Sequence, residues 1–312
     1  MPTRPAPIRI AIVGLGKIAR DQHLPAIAKT PGIELAAIVS RNAALPGTPS
    51  FPRLQDLLAS DTPFDAVALC APPQIRHAQA ALALAAGKHV LLEKPPGATT
   101  SELEPLRAAA AHARLTLFAS WHSRFAAAVE PARARLAGRL IHAVRIDWKE
   151  DVRVWHPGQA WIFEPGGLGV FDPGINALSI LTRILPHPPF VTAATLQTPE
   201  NKQAPIAATI DLTDANGLPI RAEFDFLQTG PQTWDIELDT DQGPLRLSHG
   251  ASRLTDNGQP IPIPESAEYP GLYRHFRDLV AQRRSDLDLA PLALVADAFL
   301  LARRSSAPPF HE

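Results

Sequence analysis

Short apolar runs of strand length alternate with helical patterns through the first third of the chain. The runs begin at Ile8–Val13 and recur at 34–39, 66–70, 89–93 and 115–119. Strands that alternate with helices at this spacing predict a doubly wound parallel sheet. We therefore predict an N-terminal Rossmann domain over residues 1–120.

Beyond residue 120 the pattern changes to longer strands with alternating polar and apolar residues. Several such runs lie between residues 141 and 248, and turn sequences such as Asp256-Asn257-Gly258 separate some of the later patterns. Helical patterns cover 126–136, 272–283 and 291–304. The chain is therefore predicted to be α/β overall, with a C-terminal α+β domain over 121–312 built on a large, mainly antiparallel open sheet.

Composition narrows the functional class without naming it. The 312 residues carry a net charge of −1, which gives no argument for nucleic acid or an anionic membrane as a partner. A single cysteine, Cys70, excludes an internal disulfide framework, and the scattered His residues predict no metal site. No apolar run approaches membrane-spanning length and no signal-peptide pattern is visible, so we expect a cytoplasmic protein.

The first predicted strand runs directly into Gly14-Leu15-Gly16-Lys17-Ile18-Ala19, a GxGxxA sequence that precedes a helix. In such a fingerprint the first glycine permits the tight turn and the second lets a pyrophosphate approach the backbone. The positive end of the following helix favours phosphate. We therefore predict a dinucleotide site that includes Gly14, Gly16, Lys17 and Ile18.

The end of the second predicted strand bears on the choice of dinucleotide. An NAD-preferring site usually places an acidic residue there, but this chain has Ser40-Arg41-Asn42. A hydroxyl and a guanidinium can bind the 2′-phosphate of NADP, so NADP is the predicted cofactor, with NAD also accepted. The alternative is that Arg41 is a solvated turn residue.

The fourth predicted strand ends in Glu93-Lys94-Pro95-Pro96, where proline stops the sheet ladder. Because the carboxyl ends of parallel strands line the ligand crevice, Lys94 should point into it. The alternative is a surface lysine at a strand end. The third strand closes similarly at Cys70-Ala71-Pro72-Pro73, with His77 in the helix that follows.

An irregular segment in the second half carries polar and aromatic side chains. It contains Trp148–His156, with Glu150 and Trp155, and Gly166–Leu178. Asp172 and Asn176 lie four residues apart, so they share one helix face if Pro173 starts a helix. An alternative role for Asp172 is a helix N-cap, and a cap can still face a cleft.

Taken in order, these motifs point to a family. The fingerprint, Cys70-Ala71-Pro72-Pro73 followed by His77, Glu93-Lys94-Pro95, and the Gly-Gly and Asp-x-Gly-x segment together resemble the Gfo/Idh/MocA oxidoreductases. Residues 19–27, 118–124 and 171–180 resemble more closely the branch that oxidises L-arabinose and D-galactose at C1. Asn176 stands where the wider family usually has His, and that branch is expected to share the Asn.

The resemblance implies oxidation of a pyranose C1 hydroxyl to a lactone, with hydride passing to nicotinamide. Lys94 is then the expected general base, Asp172 holds the hydroxyl or accepts the proton, and Asn176 fixes the sugar. The order of proton transfer between Lys94 and Asp172 is left open. The expected cofactor-binding residues are Gly14, Gly16, Lys17, Ile18, Ser40, Arg41, Cys70, Ala71, Pro72, Pro73, His77, Glu93 and Lys94.

The substrate site is expected to combine polar groups with aromatic walls, because sugars present C–H faces to rings. The alternative for each tryptophan is core packing, and for Glu150 and His156 a solvated loop position. The expected substrate-binding residues are Lys94, His122, Glu150, Trp155, His156, Asp172, Asn176 and Trp234.

Other functions within this resemblance remain open. An aldose or inositol dehydrogenase of other stereochemistry is the main alternative, and an aldose–aldose oxidoreductase that retains its cofactor is another. A non-catalytic sugar or nucleotide sensor would be expected to lack Lys94 or Asp172. The resemblance also implies a homodimer formed through the C-terminal sheet, with no nucleic-acid or membrane partner.

Overall fold

The structure is a computed structural model that describes residues 6–265 and 267–311. Its strands are β1 Ile8–Val13, β2 Ile33–Val39, β3 Ser50–Phe51, β4 Ala66–Leu69, β5 His89–Glu93, β6 Leu117–Ser120, β7 Ile141–Lys149, β8 Phe190–Pro199, β9 Ala207–Thr213, β10 Ile220–Asp225, β11 Thr233–Thr240, β12 Leu245–Ser248, β13 Arg253–Asp256, β14 Gln259–Pro260 and β15 Ala302–Ala307.

Helices connect and cover these strands. The α-helices are α1 Leu24–Lys29, α2 Leu54–Leu58, α3 Pro73–Ala85, α4 Leu103–Ala113, α5 Val129–Leu136, α6 Val152–Trp155, α7 Phe171–Ile184, α8 Glu268–Gln282 and α9 Ala290–Leu301. A π-helical turn at Ala19–His23 precedes α1, and 3-10 turns occupy His122–Phe125 and Ala160–Phe163. None of the helices in the described part of the chain has the length and apolar character needed to cross a bilayer.

The chain forms two compact units. The first contains the described chain through Trp121 together with Tyr269–Asp288, and the second contains His122–Glu268 and the chain from Leu289 onward. This differs from the predicted division into 1–120 and 121–312, because most of α8 and the segment after it belong to the first unit. A contact that is distant in sequence cannot be inferred from the change of pattern near residue 120.

Helix α8 joins the first unit through one apolar face. Tyr269, Leu272, Tyr273 and Phe276 are all buried and follow the i, i+3, i+4, i+7 spacing of a single stripe. The Phe276 ring stacks on that of Phe118 in β6 at 6.2 Å between centroids. The stripe therefore supplies part of the core of the first unit.

The first unit is built on a six-stranded sheet with the order β3-β2-β1-β4-β5-β6. Its strand pairs are parallel, and this is the order of a dinucleotide-binding doubly wound fold, so the predicted Rossmann sheet is confirmed. Successive strands are added toward one edge of the sheet from β1 to β3 and toward the other edge from β4 to β6, so the switch point lies between β1 and β4. Ligands of such folds bind at the carboxyl ends of the strands at this switch point.

The second unit contains a nine-stranded sheet in the order β14-β13-β12-β11-β7-β10-β9-β8-β15. Two neighbouring pairs, β7–β10 and β8–β15, are parallel, and the other pairs are antiparallel. The predicted mainly antiparallel sheet is therefore confirmed. The predicted turn between β13 and β14 is formed by Asn257 and Gly258, with φ of 50° and 74°, as a tight hairpin requires.

One secondary-structure prediction was wrong. The last helix was expected to extend to residue 304, but α9 ends at Leu301 and Ala302–Ala307 forms β15. Residues 302–307 pair in parallel with β8 and become the edge strand of the large sheet. Pairing with a strand about a hundred residues earlier outweighs the local helical pattern, which a single-sequence reading cannot detect.

Candidate active site

In the first unit, the turn after β1 fits tightly against the loop after β4. Gly14 has a φ of +97°, and a Cβ there would lie 2.7 Å from the backbone nitrogen of Ala71. A side chain at Gly14 would therefore clash with the backbone and adopt an unfavourable conformation. Glycine at residue 14 therefore lets the ends of β1 and β4, which flank the switch point, lie close together.

The surroundings of Gly16 differ from those of Gly14. A Cβ at Gly16 would meet no protein atom within 4 Å, so contacts inside the protein do not demand glycine. Close approach of a pyrophosphate to the backbone does demand it, and this fits a dinucleotide bound at the start of the helix. Lys17 and Ile18 begin that helix, and the Lys17 ammonium pairs with Asp21 one turn later.

Ser40 and Arg41 follow β2 directly, as predicted. Ser40 is half-buried and its backbone N–H donates to the carbonyl oxygen of Phe51 in β3 at 2.9 Å. Arg41 is exposed at the same strand end. A hydroxyl and a guanidinium therefore stand where the 2′ position of an adenosine ribose lies in such folds.

The residues after β4 lead into α3. Cys70 is half-buried, Ala71 contacts Gly14 as described, and Pro73 is the first residue of α3. His77 lies one turn further on, and its Nδ1 is 2.8 Å from the carbonyl oxygen of Glu102. This contact ties α3 to the start of α4, and a cofactor contact for His77 stays a prediction.

Lys94 follows β5, and the buried carboxylate of Glu93 holds its backbone. Glu93 is 3% exposed, and its Oε2 accepts a hydrogen bond from the Lys94 N–H. Its Oε1 accepts from the Tyr269 hydroxyl at 2.7 Å and lies 3.2 Å from Nε2 of His23. Lys94 itself is half-buried, so the network fixes the backbone of a partly accessible lysine.

Sequence reasoning missed Arg76, which also holds this strand end. Its buried guanidinium donates to the carbonyl oxygens of Glu93, Pro95 and Ala71. Arg76 thus joins the loops after β4 and β5. The available signal was a charged residue on the same helix face as the apolar Ala80 and Ala83.

His23 lies at the centre of this buried network. Its full burial opposes protonation, but the neighbouring Cys70, Tyr273 and Glu93 outweigh burial and raise the pKa of His23 well above its ordinary value. Nδ1 of His23 lies 2.7 Å from the Tyr273 hydroxyl. Burial raises the pKa of that phenol to about 12, so Tyr273 stays neutral and can accept from the imidazolium.

In the second unit, five of the predicted substrate residues form a connected cluster near the end of β7. Glu150 follows β7 directly and is 2% exposed. Its Oε2 accepts from the Trp234 indole N–H at 2.8 Å, and its Oε1 lies 2.8 Å from Nε2 of His156. The alternative that Glu150 is a solvated loop residue is wrong.

His156 connects this pair to Asp172. It follows α6, whose first turn is capped by the Asp151 side chain, which accepts from the Arg153 N–H at 3.0 Å. Nδ1 of His156 lies 3.7 Å from Oδ2 of Asp172, and Asp172 is 3% exposed. The structure therefore places one imidazole between two buried carboxylates.

Asp172 lies in the first turn of α7, and Asn176 lies one turn later, as predicted. The N-cap residue is Val170, so the alternative that Asp172 is the N-cap is wrong. A Cβ at Gly174 would lie 2.8 Å from the Phe224 ring, so glycine at this position lets α7 pack closely on β10. This close packing fixes the turn that presents Asp172 and Asn176.

Two tryptophan rings border the cluster. Trp155 is 39% exposed, and its ring meets that of Trp234 edge-on at 4.7 Å between centroids. Trp234 also stacks on the buried Trp148 at 6.0 Å, and β11 pairs with β7 at these positions. Trp155 is therefore not a core residue, while Trp234 both packs on the core and bonds Glu150.

His122 lies in the 3-10 turn that begins the second unit. Its Nδ1 is 2.6 Å from Oε2 of Glu268. The same turn carries Arg124, whose guanidinium donates to the Ser179 carbonyl oxygen at 3.0 Å and so ties the turn to α7. A role for His122 at the sugar stays a prediction.

Comparison with known proteins assigns the family. Residues 8–120 match the model of the Gfo/Idh/MocA oxidoreductase family, described by its NAD-binding Rossmann fold. Over 98% of the chain, the sequence is 47% identical to a galactose 1-dehydrogenase from Pseudomonas fluorescens, covering 99% of that protein. The chain belongs to the Gfo/Idh/MocA family of oxidoreductases. The resemblance predicted from the motifs is therefore confirmed.

Solved structures agree with this assignment. The crystal structure of a D-galactose-1-dehydrogenase from Rhizobium etli is 53% identical and superposes with a TM-score of 0.94 over 99% of each chain. A 3-ketoreductase from Actinomadura kijaniata, solved with NADP, has a TM-score of 0.82 over 97% of this chain and all of its own, at 21% identity. The second similarity concerns the fold alone.

The raised pKa of His23 predicts how the stability of this Gfo/Idh/MocA protein depends on pH. A group whose pKa is higher folded than unfolded stabilises the fold fully below its unfolded value of about 6.5 and loses this effect as pH rises through the folded value. His23→Gln should therefore lower Tm most in mildly acidic buffer and progressively less in alkaline buffer. Thermal melts of both proteins across that range measure this, and a pH-independent difference in Tm would contradict it.

Proposed function

We propose that this protein is an NAD(P)-dependent sugar 1-dehydrogenase that oxidises the C1 hydroxyl of L-arabinose or D-galactose in the pyranose form to the lactone. The observation that carries the proposal is the cluster of Asp172, Glu150 and His156 beside the Trp155 and Trp234 rings. Polar groups that read hydroxyls next to rings that accept C–H faces form the pattern of a sugar site. The similarity to two galactose dehydrogenases over nearly the whole chain supports the same substrate class.

The chemistry divides between cofactor and protein. A bound nicotinamide supplies the hydride acceptor. The protein must bind the sugar, orient C1 and remove the hydroxyl proton. Lys94 is the proposed general base, because Glu93 and Arg76 fix the strand end that carries it. Asp172 is proposed to hold a sugar hydroxyl or to accept the proton, and Asn176 to fix the sugar through an amide that both donates and accepts.

Lys94→Ala should lose most turnover and keep cofactor binding, because it removes only the proposed base. Positioned general bases typically contribute about 10²–10⁴-fold, and a loss in kcat of this order is expected. The measurements are steady-state kinetics and a titration of reduced-cofactor fluorescence. The matched control is Lys29→Ala, an exposed lysine on α1. Near wild-type turnover for Lys94→Ala would remove the assignment.

We propose NADP as the preferred cofactor, with NAD also accepted, because Ser40 and Arg41 occupy the end of β2. Arg41→Ala should raise KM for NADP about tenfold or more while changing KM for NAD little, since the guanidinium makes a charge-assisted contact only with the 2′-phosphate. Kinetics with both cofactors on the same preparation measure this, and NAD serves as the internal control. Equal losses for the two cofactors would show that Arg41 has another role.

L-Arabinose, D-galactose and D-fucose should all be substrates, whereas D-glucose and D-xylose should be poor ones. The first three share ring stereochemistry from C1 to C4 and differ only at C5, where one carbon changes binding by about 1–3 kcal/mol. Inverting the C4 hydroxyl leaves a buried polar group unpaired, which discriminates more strongly. The measurement is kcat/KM for the five sugars with saturating NADP. Equal values for D-glucose and L-arabinose would favour a broader aldose dehydrogenase.

We also propose that the protein forms a homodimer through the large sheet. We propose further that it acts in the cytoplasm on a free sugar. The face of the large sheet that would meet the partner carries a line of charged side chains on β7 and β10. Lys149 Nζ lies 2.8 Å from Asp147 Oδ1 and 2.9 Å from Glu223 Oε2, and Arg145 Nε lies 2.7 Å from Asp147 Oδ2. A partner on this face would meet charges already paired within the sheet, so we expect a polar interface sensitive to salt.

A further inference from the structure

The second unit contains three ionisable side chains in a row that the proposed base does not explain. Oε1 of Glu150 lies 2.8 Å from Nε2 of His156, and Nδ1 of the same ring lies 3.7 Å from Oδ2 of Asp172. The two carboxylates are 2% and 3% exposed. A carboxylate, an imidazole and a second carboxylate in this order have the composition of a proton relay.

The hydrogen bonds of Glu150 determine which nitrogen of His156 carries the proton. An indole N–H can only donate, so Trp234 donates to Oε2 of Glu150 and favours the ionised carboxylate. The bond between Oε1 and Nε2 of His156 therefore has the imidazole as its donor. In the neutral ring this leaves the lone pair on Nδ1, which is the nitrogen that faces Asp172.

We propose that His156, oriented by Glu150, accepts at Nδ1 the proton that reaches Asp172 during sugar oxidation. This inference rests on the proposed function. A bound nicotinamide would accept the C1 hydrogen and its electron pair as hydride, and the O–H proton would go to Lys94 or Asp172 as the lactone carbonyl forms. A proton on Asp172 then moves to Nδ1, which restores the carboxylate and creates an imidazolium beside the Glu150 carboxylate.

The relay gives His156 the duty that Asn176 cannot perform, because an amide does not transfer protons. The imidazolium would lie between two buried carboxylates, which compensates a charge that burial alone would disfavour. The 3.7 Å separation is longer than a hydrogen bond, but acid–base contacts of an enzyme without substrate are often long and shorten when it binds.

The tautomer is the first test, and it needs neither sugar nor cofactor. Nitrogen-15 NMR of histidine-labelled protein distinguishes a protonated ring nitrogen from a bare one, and His156→Asn identifies the resonance by its loss. We expect the neutral ring to carry its proton on Nε2. A neutral ring protonated on Nδ1 would overturn the relay without affecting the proposed dehydrogenase function.

Kinetics form the second test. His156→Asn should lower kcat about 10²-fold and change KM for the sugar less than about threefold, because the change removes a proton acceptor while Asp172 and Asn176 still hold the sugar. Glu150→Gln should lower kcat similarly, and the double variant should lose little more than either single variant, since residues of one relay act as a unit. The control is His142→Asn, an exposed histidine on β7.

Chemical rescue separates the relay from a structural role. Imidazole added to His156→Ala should restore kcat severalfold, whereas it should not affect Lys94→Ala. A raised KM with unchanged kcat in His156→Asn, or no rescue in a variant that melts like the wild type, would overturn the relay. If the wild-type protein oxidises none of the five sugars with either cofactor, the proposed function fails, and the relay fails with it.

Discussion

A carboxylate can be buried only where donors compensate its charge, and this constraint organises the functional parts of both units. Glu93, Glu150 and Asp172 are 3%, 2% and 3% exposed. The Glu93 carboxylate contacts a tyrosine hydroxyl, a histidine ring and a backbone N–H, and the Glu150 carboxylate contacts an indole and an imidazole. Removing one donor leaves charge without compensation, so the elements that carry the donors are energetically tied to the site.

In the first unit, the groups that compensate the buried carboxylate come from residues far apart in the sequence. The family model covers residues 8–120, yet two of the hydroxyls around His23 and Glu93 come from Tyr269 and Tyr273 on α8. The same helix face fills the core beside β6 through Phe276. The strand end that carries Lys94 is therefore completed by a segment near the other end of the chain, which explains why 269–288 belongs to this unit.

Much of the fold could be predicted because local pattern and final structure agree. The strand–GxGxxA–helix order, the proline stop after Lys94 and the helix that begins at Phe171-Asp172-Pro173 each depend on residues close together in sequence. The edge strand β15, the return of α8 and the role of Arg76 depend on partners that are distant in sequence. Seven of the predicted substrate residues belong to the second unit, and five of them, Glu150, Trp155, His156, Asp172 and Trp234, form one connected cluster. That connection was not visible in their spacing.

The substitution of an amide at residue 176 illustrates why spacing alone is a poor guide to chemistry. Read along α7, Asn176 suggests that the second unit lacks a proton acceptor beside Asp172. In space, an imidazole from the segment after β7 occupies that role, and Glu150 and Trp234 define its tautomer. Because the proposed proton acceptor His156 lies outside the helix, residue 176 can be an amide, which donates and accepts hydrogen bonds without changing charge. Such a group can bind a sugar hydroxyl equally well in every protonation state of the reaction. Asn176 can therefore serve recognition on α7, while His156, from the segment after β7, takes the proton from Asp172.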